Sequence, residues 1–192
     1  MSIAELERAQ EIELVNLCIA GHPKAQRELF NKYKKLFYSL AYKSLGTGFD
    51  LDEIVHEIFI QIFRSLPSFK GKSAFPTWIY RIALNVCLSR LRSKMRKRQL
   101  SLVQGLESVE NRVSSQENPA TDLDRKEFET IVQEALHKLD DRKHLIIVLH
   151  DMEGKSIEEI ALLMKKPTGT IKSRLFHGRK ELKKRLQKYL AV

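Results

Sequence analysis

"KSIEEIALLMKKPTGTIKSRLFHGRKELKKRL", Lys155 to Leu186, decides how this 192-residue chain is read. Its first part is a short apolar helix pattern opened by a capping box, Ser156 with Glu159, which satisfies free backbone N–H groups at a helix start. "KKP" makes a turn, and a second helix opens with Thr168 and Thr170 at its mouth. In that helix Ile171, Leu175, Leu182 and Leu186, with Gly178 between them, follow the helical period and form one inward stripe. Ser173, Phe176, His177 and Lys180 face the other way, flanked by Lys172 and Arg174. A solvated face rarely needs a phenylalanine among hydroxyls and cations. A face pressed into a DNA groove uses each type: cations for phosphate or guanine, hydroxyls for base edges, an apolar edge for a thymine methyl. Thr168 and Thr170, beside the free amides of a helix N-terminus, suit a phosphate. Two short helices joined by such a turn make a helix-turn-helix; a basic helical hairpin in a protein–protein interface is the competing reading.

The composition favours a polyanionic partner. Lys and Arg number 34 against 24 Asp and Glu, a formal charge of +10 with a pI near 9.6, which suits nucleic acid or an anionic surface. With 43% hydrophobic and 30% charged residues the chain folds. No apolar run approaches the ~20 residues of a bilayer span. The start "MSIAELERAQEIEL" is acidic and amphipathic where a signal peptide is basic and then apolar, so the expected location is cytoplasmic, without membrane insertion. Cys18 and Cys87 lie far apart in apolar contexts and are expected buried and reduced. With no HExxH and no CxxC, no metal or cofactor is expected.

The expected fold class is all-α: Gly and Pro sit at junctions, and β-type alternation is not sustained anywhere. Helices are expected from Ala9 to Gly21, Pro23 to Leu45, Asp50 to Leu66, and from Ser73 through the basic run Arg90, Arg92, Lys94, Arg96, Lys97, Arg98. From Ser101 to Asp124 the character changes, with Glu107, Glu110, Glu117, Asp122 and Asp124 against a lone Arg112, which reads as an acidic, weakly ordered linker. The chain therefore divides into a helical domain over 1–98, a linker over 99–122 and a four-helix domain over 123–192.

The first domain carries a second constellation. "SFKGKSAFPTWIYRIALN", Ser68 to Asn85, interleaves Phe69, Phe75, Trp78 and Tyr80 with Lys70, Lys72 and Arg81, a mixture that stacks on unpaired bases and neutralises their phosphates. Arg81, Asn85, Arg92 and Arg96 continue it as one polar stripe. Aromatics at helical spacing are as often core, which fits Phe75 and Trp78; Phe69, in a loop, is the better stacking candidate. A module for duplex and another for unstacked bases point to a protein that opens DNA at a defined place. It carries no GxxxxGK[ST] loop, and Asp50, Asp52, Glu53 and Glu57 sit at a helix start where capping and dipole explain them, so neither a helicase nor a nuclease is indicated. A stand-alone helix-turn-helix regulator, binding paired half-sites as a dimer, is the alternative from another class, but leaves Phe69 to Asn85 without a role.

In these residues the chain resembles the extracytoplasmic-function (ECF) sigma factors of bacterial RNA polymerase. "DLDEIVHEIFIQIFRSLPSFKGKSAFPTWIYRIALNVCLSRLRSKMRKR" is similar to their region two, and "LDDRKHLIIVLHDMEGKSIEEIALLMKKPTGTIKSRLFHGRKEL" to region four, with no region three between. The resemblance implies that Asp52, Glu53, His56 and Glu57 bind the polymerase β′ clamp helices. It implies that the loop containing Phe69, with Asn85 nearby, captures a flipped base of the minus-ten element, and that the helix from Thr168 reads the minus-thirty-five element while its domain docks on the β flap. It further implies a linker directed to the RNA exit channel, catalysis by the polymerase alone, and a dedicated anti-sigma factor. Three positions depart from the family pattern: His56 where glutamine is usual, Pro76 where a small polar residue is common, and His177 where arginine is frequent.

Overall fold

The structure, a computed structural model, describes residues 3–103 and 120–190, and among them every regular element is helical. Eight α-helices follow in order: α1 Ile3–Ile19, α2 Pro23–Leu45, α3 Leu51–Ser65, α4 Phe75–Val103, α5 Ala120–His137, α6 Asp141–Ile147, α7 Ile157–Met164 and α8 Thr168–Leu190. A 3-10 turn, Leu66–Ser68, follows α3, and a π turn, Val148–Met152, follows α6. Of the stretch read as a linker, 99–103 close α4 and 120–122 open α5. The remainder, with Glu107, Glu110, Arg112 and Glu117, lies outside the described residues. The two helices thus reach a few residues into each end of that stretch.

The chain forms two compact units, one of Met1–Lys43 with Thr47–Cys87, the other of Ser44–Gly46 with Leu88–Val192. In the first, the apolar faces of four helices meet. Leu29, Tyr33, Phe37 and Leu40 of α2 are buried, as are Ile54, Ile58, Phe59 and Ile62 of α3 and Ile79, Ala83 and Cys87 of α4. Phe59 is the hub, its ring 4.5 Å from Phe30 and 5.3 Å from Phe37, distances at which aromatic pairs add to plain burial. Cys18 and Cys87 are free and buried. Burial pushes the Cys87 thiol up to about 12, which keeps it protonated and unreactive.

The second unit is built around Leu145 to Leu149, all buried, with Leu136, Leu139, Ile160, Ile171 and Leu175. Asp140 caps α6 by accepting from the backbone N–H groups of Arg142 and Lys143. His144 lies in this core at 1% exposure, its ring 5.3 Å from that of His137. Burial, reinforced by His137, drives its pKa down to about 3 against weaker opposing hydrogen bonds to the backbone of Leu136 and Ser44. The native state therefore resists a proton that the unfolded chain accepts near pH 6.5. The contribution of neutral His144 is complete above that pH and is lost as pH falls towards 3, at up to about 1.4 kcal/mol per pH unit. The urea midpoint of the wild type should drop more between pH 7 and pH 5 than that of His144→Leu; equal drops would contradict this assignment.

Candidate functional site

In the first unit α3 is capped by Asp50, whose carboxylate accepts from Glu53 N–H at 3.0 Å. With Ile54, Val55, Ile58, Phe59 and Ile62 turned inward, Asp52, Glu53 and His56 are exposed, while Glu57 is half-buried one turn after Glu53. Tyr38 of α2 donates a short hydrogen bond to Asp52. Ile60, one turn beyond His56, is an exposed apolar residue near this acidic face.

The aromatic loop is held at its start. Phe69 N–H donates to Leu66 C=O at 3.0 Å and the Ser68 hydroxyl to Ser65 C=O at 2.7 Å, while Gly71 adopts a left-handed φ of 65°. Phe69 packs its ring 5.1 Å from Trp78 and 5.3 Å from Phe75. Phe75 is buried and belongs to the core. Phe69 and Trp78 are half-buried and present ring surface beside exposed Lys70 and Lys72. Helical spacing puts Trp78, Arg81, Asn85, Arg92 and Arg96 on one face of α4. Arg81 is half-buried, and Asn85, Arg92 and Arg96 are exposed. Arg92 already has an anionic partner, Asp141 Oδ2, at 2.6 Å.

In the second unit the helix-turn-helix is present as read. Ser156 and Glu159 form the capping box, at 2.8 and 3.1 Å, and hydrogen bonds from Ser156 hold the Glu159 carboxyl below its ordinary range. Lys165 ends α7 in the left-handed conformation, φ 51°, and Lys166 N–H reaches back to Ala161 C=O. Along α8, Ile171, Leu175 and Gly178 are buried and Leu182 and Leu186 half-buried. Opposite them Thr168, Lys172, Ser173, Phe176, His177 and Lys180 are exposed, Phe176 at 65%. Thr170 and Arg174 are half-buried at the edges. An open groove of about 440 Å³ is lined by Ser173, Arg174, His177 and Lys180 together with Lys143, Glu181 and Lys184.

Those last three escaped the sequence reading. Glu181 pairs with Lys143 at 3.1 Å and Arg185 at 2.7 Å, and these bonds, Arg185's first, lower its pKa. A second tie joins α8 to the π turn: Arg179 donates to both carboxylate oxygens of Asp151, and His150 Nδ1 lies 3.1 Å from the same group. Burial alone pushes Asp151 up, but the hydrogen bond and charge of Arg179 outweigh it and the carboxyl is lowered. His150 and Asp151 are thus engaged in a structural tie. Among the described residues, no three His, Cys, Asp or Glu side chains are grouped to hold a metal, and no helix is long and apolar enough to cross a membrane.

Two family models match, Sigma-70 region 2 over residues 29–97 and Sigma-70, region 4 over 129–182. The ECF RNA polymerase sigma-E factor of Escherichia coli K12 is 33% identical over 185 residues, covering 94% of this chain and 96% of the relative. That of Haemophilus influenzae is 31% identical, covering 94% and 97%. The chain belongs to the ECF sigma factors. Two solved structures share its fold, each 22% identical with a TM-score of 0.59. CnrH in complex with the cytosolic domain of CnrY covers 91% of this sigma factor and 95% of that chain. RpoE in complex with the anti-sigma factor NepR from Bartonella quintana covers 84% and 96%.

The placement of α8 in the sigma factor rests on close packing at Gly178, where an added Cβ would lie 3.1 Å from Ile147 Cδ1 and 3.3 Å from Lys143 Cβ. Gly178→Val should overpack this contact, costing about 1–3 kcal/mol and lowering the urea midpoint. An unchanged midpoint would mean that the contact yields.

Proposed function

We propose that this sigma factor binds core RNA polymerase with Asp52, Glu53, His56 and Glu57, which the family resemblance directs to the β′ clamp helices. The observation that carries the reading is that the two sigma regions occur in order in one chain, and that most of the side chains each needs are exposed. Region two then occupies 1–98 and region four 123–192, with 99–122 as the connection. Bound to polymerase, region two uses Phe69 and Trp78 to receive a flipped minus-ten base, with Asn85 nearby and Lys70, Lys72, Arg81, Arg92 and Arg96 following the strand. Region four applies Lys172, Ser173, Arg174, Phe176, His177 and Lys180 to the minus-thirty-five duplex, with Thr168 and Thr170 on phosphate.

The chain catalyses nothing itself; polymerase supplies the chemistry. The cytoplasm is where polymerase works. Both solved neighbours are complexes, RpoE's with a named anti-sigma factor, which supports a dedicated anti-sigma factor here as well.

The test is co-elution of the purified protein with core polymerase, followed by run-off transcription from the region upstream of its own gene. Stoichiometric association with new transcripts is expected; failure to associate where a known sigma factor does would overturn the reading. Phe69→Ala and Asn85→Ala should impair promoter opening, read by permanganate reactivity of the melted strand, while core binding stays intact. An equal loss of core binding would remove both from base capture. Lys172→Ala and Lys180→Ala should each reduce the slope of log affinity against log salt by about 1. An unaltered slope removes that residue from the phosphate contacts.

A further inference from the structure

Asp52 is the second residue of α3, where a carboxylate ordinarily turns back onto the free N–H groups of its own first turn. Asp50 already occupies Glu53 N–H, and the Asp52 carboxylate is drawn instead towards α2, where the Tyr38 hydroxyl donates to Oδ1. No other described group bonds to Asp52, which remains exposed with several acceptor sites unused. We propose that Tyr38 is a positioning residue of the polymerase-binding surface, holding the Asp52 carboxylate in the orientation in which it receives a cationic side chain of the polymerase. The inference rests on the assignment of Asp52 to polymerase binding made above.

The chemistry of the donor matters. A lysine or arginine beside Asp52 would neutralise it and compete with an incoming cation, whereas a neutral phenol fixes the carboxylate and leaves its charge intact. The Tyr38 phenol is held above its ordinary pKa, first by the Asp52 hydrogen bond and then by burial, so it remains the donor throughout the neutral range. The Tyr38 residue is half-buried and lies on a helix whose neighbouring turn, at Phe37, Leu40 and Ala41, is locked in the core, so its hydroxyl is presented from a rigid base. Orienting an exposed carboxylate before association removes part of the ordering cost that binding otherwise carries. Tyr38 lies 14 residues before Asp52, so no local spacing rule points to it.

Affinity for core polymerase, measured with the full chain, would be compared for wild type, Tyr38→Phe, Asp52→Ala and the double variant. Tyr38→Phe keeps the ring and removes only the hydroxyl; it should weaken binding about fivefold and leave binding to upstream duplex unchanged. Asp52→Ala should weaken binding further, and adding Tyr38→Phe to it should change nothing more, because the two act as one unit. If Tyr38→Phe binds polymerase like wild type, or if its loss persists undiminished in the Asp52→Ala background, the positioning role is wrong while the surface assignment stands. If Asp52→Ala itself binds normally, the assignment of Asp52 falls and the proposal falls with it.

Discussion

The one-sided burial of α8 is the constraint on which the outer face of the second unit depends. Ile171, Leu175 and Gly178 are pressed against the core that Leu145 to Leu149 supply, and a helix fixed along one side has no choice about what it shows on the other. Ser173, Phe176, His177 and Lys180 are therefore outward by geometry, and a 65% exposed phenylalanine is tolerated there. Gly178 lets α8 approach α6 closely enough that Lys143 joins the same groove. The ties from Glu181 to Lys143 and from Arg179 to Asp151 then fix the helix against rotation from two sides.

The first unit applies the same logic to a different task. Phe75 is sunk in the core and Phe69 and Trp78 lean on it, so the aromatic surface offered by the loop is anchored from beneath. A loop held at Leu66 and Ser65, and turned at Gly71, keeps the Phe69 ring in place. Acidic side chains gather at the start of α3, where the helix dipole favours them, leaving a negative face on a chain that is basic overall. That separation of sign gives one chain faces of opposite charge.

What could be read from the sequence is what acts over three or four residues. The capping box of Ser156 and Glu159, the turn at Lys165 to Pro167, the stripe of α8 and the Asp50 cap are local, and the structure has each where the spacing predicts it. Phe75 and Phe69 were separable because one follows helical spacing and the other sits in a loop. The bonds of Tyr38 to Asp52, Arg179 to Asp151 and Lys143 to Glu181 were not legible, since they join residues 14, 28 and 38 positions apart and exist only once helices pack. The burial of His144 is of the same kind, since it follows from the packing of α5 beside α6. The end of α4 was missed for the opposite reason, because composition changes character before the helix stops.

The account stands most directly on where the outer face of α8 goes in the working complex. A photo-crosslinking amino acid in place of Phe176, in the full chain bound to core polymerase on a promoter fragment, reports that contact. Crosslinks to duplex DNA in the minus-thirty-five region are the predicted result. Crosslinks confined to polymerase subunits, from a complex that still initiates transcription, would contradict it and make this face a protein interface.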